Sequence, residues 1–276
     1  VGKYEGFFIL KKDKHMKKYW LLAGLALSTS VLAQDIQFEN LSQDDVENVS
    51  REFSANFAHT GVSAPETDGR WGIEVGVIAG QSSSPDLADV IDASGGKGSD
   101  FEKLYHAGAQ ARVHLPFDIF AEVTMLPEQE ISDVKLKNTT YEIGWNLGGF
   151  FGLPVDIAVG VNRANSEISF SQSPTAGTQA DISLESTTTM MWAGVSKTFL
   201  FVTPYLKFGK ASAESTVDSS ADVFGFPVPS NSYEVENDGG YYALGANLQF
   251  AFLKLGAEVS KIMDVNRATA KLSLDF

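Results

Sequence analysis

Cysteine is absent from the 276 residues, so neither a disulfide framework nor a thiolate metal centre can hold the fold. Basic residues are scarce: 21 Lys and Arg stand against 35 Asp and Glu, a formal charge of −14. A nucleic-acid partner is thereby excluded, because no cationic surface would displace the counterions around phosphate. Histidine occurs four times, and the chain has no Gly-x-Ser-x-Gly elbow, no His-Glu-x-x-His, no P-loop and no dinucleotide fingerprint. Nor is there an apolar run of the roughly 20 residues that a spanning helix requires. A membrane form of this chain would have to be a closed barrel, since only helices and closed barrels satisfy their backbone polar groups in lipid.

What is present begins with an export signal. Met16, Lys17 and Lys18 precede the short apolar run from Trp20 to Leu27, and Val31-Leu32-Ala33 follows before Gln34. A charged start, a short apolar core and small residues at the end make residues 16–33 a secretory signal peptide, with cleavage expected between Ala33 and Gln34. Residues 1–15 stand ahead of a complete signal and read as an upstream extension, translation starting at Met16. Loss of residues 1–33 removes six lysines and two acids, which makes the exported protein still more acidic. The expected organisation is a helical segment over 34–69, periplasmic or docked at a barrel mouth, and an outer-membrane barrel over 70–276.

From Trp71 onward the hydrophobic period is two. Tyr105, Ala107, Ala109, Ala111, Val113 and Leu115 alternate with His106, Gly108, Gln110, Arg112 and His114. Similar runs of about ten residues, the length of a tilted bilayer crossing, recur to the C-terminus. Roughly ten strands are expected, between eight and twelve, in an all-β antiparallel up-and-down barrel. Residues 187–199 place Met191, Ala193 and Val195 on one face and Met190 and Trp192 on the other, for which a bulge is the expected reconciliation. Short links at 116, 151–152, 200 and 252 alternate with long polar stretches near 82–103, 127–138, 165–180 and 212–238, the rhythm of periplasmic turns and outer loops. The acids of 85–92 in the first long stretch read as a solvated face. Trp71, Phe117, Phe150, Phe151, Phe199, Phe201, Phe250, Phe252 and Phe276 gather at the short-link end as an interfacial girdle.

Before the first strand the period changes. Ser42 can cap a helix over about 43–58 that carries Val46, Val49, Phe53 and Phe57 as one apolar stripe, with Asp44 and Asp45 in its first turn. The stripe needs an apolar partner, so the helix docks at the periplasmic mouth unless the lumen offers an apolar patch.

With its signal at 16–33, its alternating strands over 71–276 and its ending Lys271-Leu272-Ser273-Leu274-Asp275-Phe276, the chain resembles small outer-membrane β-barrel proteins of Gram-negative proteobacteria. The resemblance implies residence in the outer membrane, lipid and the assembly machinery as partners, and Leu272, Leu274 and Phe276 as the assembly signal. It transfers no functional residues. Inward positions of the alternation form a candidate lumen charge network: Glu74, Arg112, Asp118, Glu122, Glu142, Asp156, Lys207, Lys254, Glu258, Arg267 and Lys271. In a narrow barrel these charges are expected to pair and fill the lumen. The expected protein is a structural barrel or a narrow passive, porin-like channel for an unidentified small solute. No catalytic residue, metal site or cofactor is assigned. The alternatives are a barrel protease or lipid-modifying enzyme using His106 or His114 with Glu122 or Asp118, and a soluble secreted β-sandwich.

Overall fold

A computed structural model of the chain describes residues 42–276 except 67–70, 94–96, 132–133, 152, 173–177 and 224–225. The signal segment, the upstream extension and the cleavage position lie outside the described residues. Helix α1 spans Gln43–Phe57; Ser42 caps it, its hydroxyl accepting from the Asp45 amide while the Asp45 carboxylate accepts from the Ser42 amide. Ten strands follow: β1 Gly72–Ser83, β2 Lys103–Leu115, β3 Ile119–Ile131, β4 Val134–Asn146, β5 Asp156–Gln172, β6 Thr178–Ser196, β7 Val202–Val223, β8 Phe226–Phe250, β9 Leu253–Ile262 and β10 Val265–Asp275. Each pairs antiparallel with its sequence neighbour, and β1 pairs with β10 to close the barrel. At the seam Ile73 and Phe276 exchange both backbone hydrogen bonds, at 3.0 and 2.9 Å.

Alternation sets which face each residue serves. On β9 and β10 every second residue is buried and the intervening ones are exposed. The exposed set is strongly apolar. Val77, Ile143, Met191, Leu244 and Val259 are all more than half exposed on the outer wall. Trp71, Phe117, Phe151, Phe199, Phe252 and Phe276 ring the short-turn end, and Tyr105, Tyr141 and Tyr242 stand exposed toward the other. An apolar wall of this extent bounded by aromatic rings is a surface made for lipid, not water.

Two expectations about the strands need correction. The long polar stretches near 127–138, 165–180 and 212–238 are mostly strand: β5 runs 17 residues, β6 19, β7 22 and β8 25. Above the apolar wall the outward face can be polar, so the hydrophobic alternation fades while the hydrogen-bond ladder continues. Only 82–103 is a true loop, and it contains helix α2, Pro85–Ala93. In β6 there is no bulge at 187–196, where the register against β5 and β7 is unbroken. Met190 and Trp192 point inward because the lumen holds an apolar cluster, which includes Ala55, Ala58, Phe120 and Tyr241.

Candidate functional site

The lumen is occupied by the chain itself. Helix α1 lies against β1, β2, β5, β6, β7, β8 and β10, which only a position inside the closed wall allows. The expected docking at the mouth is therefore corrected: the apolar patch that the helix requires is inside. Ala55 and Ala58 join the apolar cluster, and Phe53 packs on Phe57 with ring centroids 4.8 Å apart. From Ser42 at the long-strand end the chain descends through α1 and continues without regular secondary structure over residues 58–66, with Val62 in the left-handed region at φ 46. Ser50 through Pro65, apart from partly exposed Arg51, are buried.

Small side chains let this plug approach the wall. Ser54 shares hydrogen bonds of 2.7 and 3.1 Å with Ser186 and Ser215. A Cβ at Gly61 would stand 2.6 Å from the Glu122 carboxylate, so a larger residue there would have to push that carboxylate away from His59. The wall also reaches for the plug's backbone. Arg267 donates to the Ala55 and Ala58 carbonyls at 3.0 and 2.8 Å, Gln110 to Gly61 at 3.0 Å, and Asn247 to Val62 at 2.8 Å. Asn247 also accepts from the Ala64 amide, and Asn138 donates to the Phe57 carbonyl. The last carbonyls of α1 and the irregular segment after it have few partners within the plug, such as the Ser63 hydroxyl on the Gly61 carbonyl, so the wall supplies the rest.

At mid-height His59 meets a pair of wall carboxylates, while lower down Glu66 pairs with Lys254 on β9 at 3.6 Å. Glu122 and Glu142 sit directly opposite each other on β3 and β4. His59 Nε2 lies 3.1 Å from Glu122 and 3.4 Å from Glu142, while its Nδ1 lies 2.6 Å from the Thr140 hydroxyl. Arg112 reaches Glu122 at 3.5 Å and covers the Phe120 ring at 3.8 Å. Trp192 and Asn162 both donate to Glu142 at 3.0 Å. All these charged groups are almost wholly buried, so an uncompensated carboxylate here would be costly.

The sequence-assigned charges fall into three groups. Glu74 pairs with Lys271 at 2.6 Å and with Lys254 at 3.4 Å, and Lys254 also reaches Glu66 and Asp275. Arg112, Glu122 and Glu142 form the cluster around His59. The rest do not follow the expected pairing of acid with base: Arg267 serves plug carbonyls, Lys207 lies over the Trp192 ring at 4.7 Å, and Glu258 accepts from the Tyr205 hydroxyl at 2.8 Å. Asp156 accepts from Asn146, whose carbonyl caps the next turn. Asp118 is in the turn before β3, at φ 60, and not on the inner wall. His106 is committed to Asn56 at 3.0 Å and Thr269 at 2.9 Å.

Sequence reading missed His59, Phe120, Trp192 and Tyr241 as lumen groups, whereas the alternation of β7 put Tyr205 on the inner face beside Lys207. Parity alone placed Phe120 inward beside Glu122. Trp192 faces Gly160 across β5 and β6, where a Cβ would stand 2.6 Å from the indole. An inward glycine opposite an aromatic was a usable signal.

Comparison with known proteins adds the following. The model of a family of unknown function, DUF6588, matches residues 23–276. No curated protein matches the chain. Solved structures similar to it include Ail, the attachment invasion locus protein of Yersinia pestis, in complex with a heparin analogue (11% identity, 75% of this chain, 97% of that one, TM-score 0.33). Another is the translocator domain of the autotransporter NalP from Neisseria meningitidis (10%, 81% and 91%, TM-score 0.37). A third is the outer membrane protease OmpT from Escherichia coli (9%, 77% and 100%, TM-score 0.38).

Proposed function

Because the chain belongs to the family of unknown function DUF6588, which carries no activity to transfer, we propose its role from the lumen: an outer-membrane barrel held shut by its own N-terminal segment. The single observation that carries this reading is the buried run from Glu52 to Pro65, hydrogen-bonded to strands around the circumference. Apolar outer residues between aromatic rings support the membrane setting. An open porin keeps a water-filled passage, whereas here the inner side chains are spent on the plug. The role is structural, or that of a channel closed at rest; against the barrel-enzyme alternative counts that His106 has both ring nitrogens engaged by Asn56 and Thr269.

Planar-bilayer recording tests the reading. Full-length protein should insert without steady conductance. Deletion of residues 42–66 strips Glu122, Glu142 and Arg267 of plug partners, and water should replace them, giving ohmic conductance in the truncated barrel. Steady conductance from the full-length protein would defeat the proposal.

A further inference from the structure

The barrel is closed at the level of its apolar wall but not above it. Strand β8 pairs with β7 over almost its whole length, as far as Val223 with Phe226. Its pairing with β9 begins only at Tyr241 with Ile262. Among the described residues no strand pairs with Ser232–Gly239 on the β9 side. The Met263 amide donates to the Gly240 carbonyl, which fixes even-numbered residues of β8 as those whose N–H and C=O face that open side. The free edge thus presents the backbone groups of Ser232, Glu234, Glu236 and Asp238 over eight residues, about 26 Å at 3.3 Å per residue.

The side chains of those even-numbered residues are exposed on the outer face. Three of the four are acidic. The strand behind them adds Glu214, opposite Glu236, and Asp218, opposite Ser232. An exposed edge is a template for another strand, and charges directly opposite across a strand pair attract when unlike and repel when like. Two copies of this chain meeting edge to edge would set acid against acid, which disfavours self-association. We propose that β8 between Ser232 and Gly239 is a docking edge for an extended basic segment of another protein. The guest strand is added by main-chain hydrogen bonds and carries Lys or Arg at every second position on the outer face.

The test uses full-length protein refolded in detergent micelles and a labelled peptide that alternates lysine with threonine, read by fluorescence anisotropy. The peptide should bind. A version N-methylated at alternate residues keeps the charge but loses the donors toward the edge, and should bind about tenfold more weakly. Glu236→Pro removes one N–H from the open side and none from the β7 ladder, so it should weaken binding about tenfold with heat-modifiable mobility retained. Should that variant fail to fold, Glu234→Lys with Glu236→Lys serves instead: it should lose the lysine peptide and gain one that alternates glutamate with threonine. Equal binding of methylated and unmethylated peptides, or binding of neither, overturns the assignment. Lumen closure is read separately by conductance, so either reading can fail without the other.

Discussion

His59 is the residue on which the plug's electrostatics turn. Glu122 and Glu142 face each other on adjacent strands, and His59 stands between them with Arg112 beside Glu122. Truncating one member of a buried ionic cluster leaves its partners uncompensated, at a typical cost of about 3–5 kcal/mol. His59→Ala should therefore destabilise the folded barrel by about 3 kcal/mol in denaturant unfolding, and adding Glu142→Gln should recover part of that loss. Additive losses in the double variant would show that the histidine and the glutamate act separately.

Glu52 governs a second contact, at the long-strand end. Its carboxylate accepts from the Asp86 and Leu87 amides at 2.9 Å and so caps α2 from another helix, beside the Arg51–Asp86 ion pair at 3.0 Å. Burial pushes its carboxyl up to about 7, while the Leu87 and Asp86 amides pull the other way and the charge of Asp86 adds to the rise. A carboxyl with a raised pKa binds its proton more tightly in the docked state than in the free one. The contact is thus complete below about 4.5 and is lost as pH rises through about 7. Amide exchange at Asp86 and Leu87, corrected for intrinsic rate, should speed up between pH 5 and 8, and Glu52→Gln should flatten the profile. A contact that tightens over this range would contradict the assignment.

At the level of elements, strand number and facing were written in the sequence, and strand length was not. A period of two with apolar residues outward persists only where the outer face meets lipid. Higher up, Glu214 and Glu236 continue the same outward rows with polar side chains, which read as loop. This difference is measurable. Leu244→Arg, on the apolar wall, should cost about 2–4 kcal/mol near the bilayer midplane. Thr187→Arg, directly across from Glu214, should cost less than about 0.5 kcal/mol. Unfolding in lipid vesicles compares the two; equal penalties would mean that the long strands lie in the membrane along their full length. An inner position such as Asn247 is no neutral control, because it holds the backbone of Val62 and Ala64.

At the scale of the whole molecule, local pattern identified a barrel and a helix but could not join them. What places the helix inside is the summed inner surface of non-adjacent strands: Phe120 on β3, Trp192 on β6 and Tyr241 on β8 make one apolar patch only after closure. The absence of cysteine makes the joining directly testable. The Ser54 and Ser186 hydroxyls are 2.7 Å apart, one on the plug and one on the wall, so cysteines at these two positions should oxidise to a single cross-link. The link would close a loop of more than a hundred residues and should raise stability by up to about 4–5 kcal/mol. It also discriminates a static filling from a gate. If the closed lumen opens by withdrawal of the plug, any rare conductance events of the reduced variant should disappear on oxidation and return with reductant. If the segment is a permanent core, oxidation should leave electrical behaviour unchanged and alter only resistance to unfolding. Failure of Ser54→Cys and Ser186→Cys to cross-link in the folded, heat-modifiable protein would mean that α1 does not reside in the lumen.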